Sequence, residues 1–314
     1  TAPATTEIYT GCRSSAASDV YKRQNRVYQV GIEDEVPLVA KFYRPQRWTE
    51  AQIREEHSFS FELRDADISV VAPLVDAHGD SLHCYDDFLF ALFTRRGGYP
   101  PELDNPDHRI VLGRTLGRIH SVGRAKAFEY RPTMTVQRML AESREFLLAH
   151  FIPTSLEPAY SSLTADLLAI VTDVFGEVPQ KSMIRVHGDC HVGNILWRDD
   201  CAHFVDLDDC CMAPAMQDLW MFLSGERHDK QLQLSELIEG YSEFCDFEPR
   251  QLRWLESLRT MRLVHYAAWL GRRWQDPAFP HSFTWFNTER YWAEHILELR
   301  EQMSALQEEP LQLL

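Results

Sequence analysis

Between Arg185 and Asp209 the chain reads RVHGDCHVGNILWRDDCAHFVDLDD, which sets carboxylates among Ile, Leu, Val and Phe. The first grouping is HGDCHVGN, in which Asp189 is followed five residues later by Asn194. A carboxylate placed there can accept the proton of an attacking hydroxyl, and an amide oxygen beside it can ligate Mg²⁺. Gly188 and Gly193 let the backbone turn tightly around the acid. Twelve residues after Asn194, Asp206 in FVDLDD follows the apolar pair Phe204 and Val205, at the expected tip of a buried strand. A carboxylate fixed by such neighbours can hold a cation against phosphate oxygens, because Mg²⁺ prefers one or two carboxylates plus substrate phosphate over an all-protein cage. Asp208 is a candidate second-metal or supporting ligand. Lys41, in LVAKFY, sits in a predicted strand where an ammonium can pair with nucleotide phosphates. Its expected ion-pair partner is Glu56 from the next predicted helix, with Glu55 as fallback.

Each feature taken singly has a plain alternative. A lone strand lysine is usually solvated, and a single D-x-x-x-x-N is close to noise. His187, Cys190 and His191 have a spacing that fits no standard zinc set. Cys210 and Cys211 read as buried thiols, and His120 in GRIHS as a packed helix residue. The segment AAWLGRRWQDPAFP reads as core plus surface arginine. The order decides between the readings: strand Lys, helix Glu, linker, H-G-D-x-x-x-x-N, then an apolar strand ending in Asp. That order points to phosphoryl transfer.

The elements that must position these groups follow from the pattern. RVYQVG and PLVAKFYRP read as strands, with IEDE between them as a turn. Thr49 and Gln52 form a capping-box pattern ahead of a helix. ISVVAPLV, SLHCY and FLFALF read as further strands, with DAHGD as a turn, and TRRGGYPPELDNP as a linker. Helices are expected over 107–124, 135–151 and 162–178, and again across 218–307. The expected architecture is α+β and bilobal, with a small β-rich N-lobe over 25–94 and a larger α-rich C-lobe over 95–314. Residues 1–24 have no sustained hydrophobic period and read as a leader that is disordered or foreign to the rest.

The 314 residues are enough for two lobes, and the formal charge of −15 argues against non-specific binding to nucleic acid or an anionic membrane. No apolar run approaches the roughly 20 residues of a spanning helix. With an odd cysteine count, no C-x-x-C pair and no apolar signal-peptide core, the expectation is a cytoplasmic protein with reduced thiols.

These motifs resemble the aminoglycoside phosphotransferase-like branch of the protein-kinase-like superfamily, which has H-G-D where typical protein kinases have H-R-D. The resemblance runs over about residues 25–314 and implies a bilobal kinase fold and use of ATP and Mg²⁺. It also implies transfer to Ser/Thr of proteins and a role in stress survival; the expected state is a monomer. On it, Asp189 corresponds to the proton acceptor, Asn194 and Asp206 to Mg²⁺ ligands, and Lys41 to the nucleotide lysine. His187 and Asp218 correspond to supports of the catalytic loop, and the segment around Leu92 and Phe93 to the hinge that receives adenine. The family also places a strand and a phosphate-covering turn before NRVYQ, where this chain has its leader. A chain lacking that lid is expected to position phosphates poorly and to be weak or inactive. A small-molecule kinase acting on an amino alcohol, sugar or aminoglycoside, and an inactive pseudokinase, are the alternatives.

Overall fold

The computed structural model describes residues 26–31, 36–276 and 278–314. The leader, the strand start at Asn25 and the IEDE turn lie outside the described residues. Four strands, β1 (Arg26–Val30), β2 (Leu38–Phe42), β3 (His83–Tyr85) and β4 (Phe88–Thr94), form an antiparallel sheet in the order β1-β2-β4-β3. The register sets Lys41 opposite Val27 on one side and Ala91 on the other. Helix α1 (Glu50–Asp65) begins where the sequence places its cap: the Gln52 N–H donates to the Thr49 hydroxyl, and the Thr49 N–H donates to the Gln52 side chain. Its Ile53 packs with Tyr43, Leu82 and Ala91 into a small apolar cluster against the sheet.

Residues 68–75, expected as a strand, form none. They make only isolated bridges, Val70 with Phe204 and Pro73 with Phe93. Pro73 has no N–H to give a ladder, and the apolar run is spent on two different neighbours. The DAHGD turn is present, with Asp76 Oδ1 accepting from the N–H groups of His78 and Asp80.

The linker is pinned where Tyr99 and Trp197 exchange two backbone hydrogen bonds, and it ends at α2 (Pro106–Gly123). Asn105 caps that helix by accepting from the Asp107 N–H, with proline in the first turn. The helix expected over 135–151 opens as a π-helical turn, Gln137–Ala141, before α3 (Glu142–His150). Then follow α4 (Glu157–Gly176), β5 (Ile184–Val186), β6 (Ile195–Arg198), β7 (Cys201–Phe204) and β8 (Cys211–Ala213). β5 pairs with β8 and β6 with β7, both antiparallel. The chain closes with α5 (Met216–Leu219), α6 (Arg227–Ser242), α7 (Leu255–Arg272), α8 (Ala278–Ser282) and α9 (Glu289–Gln307).

The larger core gathers Leu112, Leu116 and Ile119 of α2, Phe204 of β7, Leu237 of α6 and Val264 of α7, all at or near zero exposure. The strands of the two short two-stranded sheets contribute buried side chains to this core, so the loops that leave them start from fixed points. Among the described residues, no helix is long and apolar enough to cross a membrane.

Candidate active site

The HGD loop is held from beneath. Asp218, in α5 and fully buried, accepts the His187 N–H at 2.7 Å on Oδ2 and the Gly188 N–H at 2.8 Å on Oδ1. His120 Nε2 lies 3.0 Å from the same Oδ2, and its Nδ1 lies 3.1 Å from the Tyr241 hydroxyl. Burial opposes the charge of Asp218, but the His120 hydrogen bond and charge, His187 and the Gly188 N–H outweigh it and hold the carboxyl below its usual range. Gln217 Nε2 donates to the Gly188 carbonyl. Gly188 has φ +87°, and a Cβ there would collide with the carbonyl of Asp209, so only glycine fits at this crossing.

Asp189 follows at the loop's crest. Asn194 Nδ2 donates to the Asp189 carbonyl at 2.9 Å, which fixes the Asn194 amide with its oxygen facing away from that bond. The Asp189 carboxylate is clamped by α7, with Arg262 Nη2 at 2.6 Å from Oδ1. Cys190, fully buried, has its thiol pKa pushed well up by burial and then by Asp218 and Asp189, which keeps it a protonated packing residue.

The loop after β7 is tied to the HGD loop at two points. His187 Nε2 lies 2.9 Å from the Val205 carbonyl, and the Val205 N–H donates to the Asn194 carbonyl at 3.0 Å. Asp206 comes next in a left-handed conformation, φ 61° and ψ 62°, and its side chain is 35% exposed. Lys41 reaches it from β2, with Nζ 2.9 Å from Asp206 Oδ1, 3.2 Å from Asp208 Oδ1 and 3.6 Å from Glu56 Oε1. Burial alone would lower Lys41, but Asp206, Asp208 and Glu56 outweigh it and hold the ammonium well above its ordinary value. Burial raises Glu56 to about 7, the pull of Lys41 notwithstanding.

Lys41, Glu56, Asp206 and Asp208 therefore meet at one point, and Asp189 and Asn194 sit on the loop tied to it. Glu55, the fallback partner, is turned away and accepts the backbone N–H groups of Glu129, Tyr130 and Arg131. Asp208 is sealed in: Arg47 Nη1 lies 2.6 Å from its Oδ2, and the side chain is 1% exposed. Burial works against the Asp208 charge, and Lys41, Arg47 and Arg131 override it, so its carboxyl lies well below the usual range. Leu92 and Phe93 lie inside β4, where the Leu92 carbonyl accepts from the Leu74 N–H.

Asp206 and Asn194 carry hard oxygen donors of the kind that suits Mg²⁺ completed by phosphate and water, on two loops tied through the Val205 N–H and the Asn194 carbonyl. Among the described residues, no group of three or more His, Cys, Asp or Glu side chains is arranged to hold a metal. A cation here would thus draw the rest of its shell from its substrate.

Sequence reasoning read His120 only as a packed helix residue and passed over Arg47, Arg131 and Arg262. Each acts on a partner far along the chain. Only the i, i+3 and i+7 placement of Arg259, Arg262 and Tyr266 on a predicted helix could have marked one face of α7.

A bilobal arrangement with an H-G-D loop, a strand lysine and an aspartate at a strand tip defines a kinase-like phosphotransferase. The chain belongs to the phosphotransferase enzyme family, which it matches over residues 22–255. It is 46% identical over 291 residues to stress response kinase A of Escherichia coli strain K12, covering 92% of this chain and 88% of that protein. It is 44% identical, with the same coverage, to the serine/threonine protein kinase RdoA of Salmonella typhimurium strain LT2. Among solved structures, it is similar to amicoumacin kinase hAmiN in complex with AMP-PNP, Ca²⁺ and Ami (TM-score 0.69, 17% identity, 92% of this chain and 89% of that one). It is also similar to the microcompartment-associated aminopropanol kinase (TM-score 0.69, 18% identity, 93% of this chain and 92% of that one). The expected α+β bilobal kinase-like fold is the observed one.

Proposed function

We propose that the protein is an ATP- and Mg²⁺-dependent protein Ser/Thr kinase of the stress response kinase type, with Asp189 as proton acceptor. The observation that carries the reading is the 2.9 Å contact of Lys41 Nζ with Asp206 Oδ1, which joins the two lobes beside the loop bearing Asp189 and Asn194. The choice of a protein acceptor is supported by the names of relatives 44–46% identical over most of the chain.

In this reading the acceptor hydroxyl gives its proton to Asp189 as its oxygen bonds to the terminal phosphorus, and the bridging P–O bond breaks to release ADP. Lys41 steadies the phosphates, and Glu56 keeps Lys41 aimed. Asp206 and Asn194 would hold Mg²⁺, which supplies charge neutralisation at the transferring phosphate when bound. Leu92 and Phe93 border the adenine. Asp218, His120 and His187 keep the loop in place so that little reorganisation remains at the moment of transfer.

The test is transfer of label from ATP to a panel of protein acceptors, the parent beside Asp189→Asn. Phosphoserine or phosphothreonine that falls by a factor on the order of 10² or more in the variant supports the reading. Label found only on an amino alcohol, sugar or aminoglycoside would replace it with a small-molecule kinase. Nucleotide binding without any turnover would replace it with a pseudokinase.

A further inference from the structure

One face of α7 meets Asp189 through Arg262 and carries charge that the transfer step itself does not require. Arg262 touches Asp189, and Tyr266 and Trp269 follow on the same face, their rings stacked at 5.7 Å and 15°. Tyr266 is 42% exposed. Two further arginines flank this stripe. Arg272, exposed at the end of α7, lies over the Phe146 ring at 5.0 Å. Arg138, on the π-helical turn packed beside α7, lies over the Trp48 ring at 5.9 Å.

Among the described residues, neither Arg138 nor Arg272 has a carboxylate at ion-pair distance. Burial lowers both guanidinium pKa values, and Asp209 near Arg138 and Glu142 near both do not make up the loss. His265, also on α7, is brought down to about 4 by burial and then by Arg272 and Arg138, so it stays neutral amid positive field. In a chain of net charge −15, two arginines without a carboxylate partner, set around His265 on the helix whose Arg262 meets Asp189, mark a place for an anion.

We propose that this face receives the acceptor as an acidic peptide segment bearing Ser or Thr, with Arg262 next to the reacting hydroxyl and Arg138 and Arg272 taking carboxylates farther along. The proposal rests on the protein-kinase reading above. A cationic acceptor would meet like charge here. A carboxylate of the acceptor that takes up Arg262 also frees the Asp189 oxygen that Arg262 holds, leaving it open to the hydroxyl proton. Ten residues of helix separate Arg262 from Arg272, about 15 Å of rise. An extended peptide covers that in about four to five residues. The geometry thus sets where along the acceptor an acid should matter most.

The experiment is steady-state phosphorylation of three Ser/Thr peptides that differ only in flanks of Asp/Glu, Gly/Ala or Lys/Arg, plus a single Asp walked along the neutral one. The parent is expected to favour the acidic peptide by about tenfold or more in kcat/KM, with the largest single-Asp gain about four to five residues from the acceptor. Arg272→Glu should lose that preference mainly through KM and gain on the Lys/Arg peptide. Arg290→Glu, a charge reversal on exposed α9, should keep the parent's preference and control for net charge. Equal use of all three peptides, a preference for the Lys/Arg flanks, or an unchanged profile in Arg272→Glu would overturn the docking proposal and leave the kinase reading standing. No peptide phosphorylated while a small molecule is would overturn both.

Discussion

Asp218 and Asp208 are both fully buried aspartates beside the same glycine loop, and they are kept charged by different means. Asp218 is surrounded by two backbone N–H groups and one imidazole. Asp208 is surrounded by the flexible cations Lys41 and Arg47, with Arg131 nearby. Backbone donors cannot leave, so the first arrangement is a fixture. Long side chains can exchange partners, and Lys41 is already shared among Asp206, Asp208 and Glu56. The molecule thus pairs a rigid support for the proposed proton acceptor with an adjustable charge cluster where phosphates are proposed to enter.

Breaking the fixture should cost most. Asp218→Ala leaves the His187 and Gly188 N–H groups and His120 without their acceptor, and is expected to destabilise by about 3–5 kcal/mol and to abolish transfer. Asp218→Asn, which keeps one acceptor oxygen, should fall between this and the parent in urea midpoint. The adjustable cluster should give way more gently. Lys41→Met is expected to lower ATP-dependent transfer by a factor on the order of 10², with a stability loss of about 2 kcal/mol. The loss is limited because Glu56 can take up a proton and Asp206 is partly solvated. An equal stability loss in Lys41→Met and Asp218→Ala would erase the distinction.

Acid titration sharpens it within α1. His57 is buried between the Tyr43 hydroxyl and Ser81 Oγ, each 2.8 Å away, and burial followed by Lys41 drops its pKa from 6.5 to about 3. The folded chain resists a proton that the unfolded chain takes, so this contribution is present above pH 6.5 and is lost as pH falls toward 3. Between pH 6.5 and 5 the loss is about 2 kcal/mol, and His57→Gln should remove it in a pH series of unfolding midpoints. Its neighbour works with the opposite sign. Glu56 is raised from 4.5 to about 7, so it favours folding at low pH, and that contribution fades as pH rises through 7. Glu56→Gln should flatten this slope, an effect of about 1–2 kcal/mol across the window.

The sequence displayed the parts of the site that are local. The capping box at Thr49 and Gln52, the tip position of Asp206 and the Asp189–Asn194 spacing each follow from neighbours within a few residues. Lys41 and Glu56 could be paired because a strand followed by a helix leaves little choice of partner. His120 was read as a plain packing residue because its partner Asp218 is 98 positions away. Arg262 and Arg47 escaped for the same reason, since their aspartates lie on other elements. Residues 68–75 misled because an apolar run satisfies the pattern of a strand whether or not a ladder awaits it. Pro73, and the division of the run between Phe204 and β4, decided otherwise.

That short run has a mechanical consequence. Ser69 and Val71 bond to both backbone groups of Phe204, two residues before Asp206, while Leu74 bonds to Leu92 in β4. The lobes are thus joined by the linker, pinned at Tyr99 and Trp197, and again by this strap. Helix α1 adds a third set of ties, with Glu55 taking the N–H groups of Glu129, Tyr130 and Arg131 and Glu62 meeting Arg185. A plate bolted at three corners has little freedom to swing, so Lys41 should stay within reach of Asp206 whether the cleft is empty or filled.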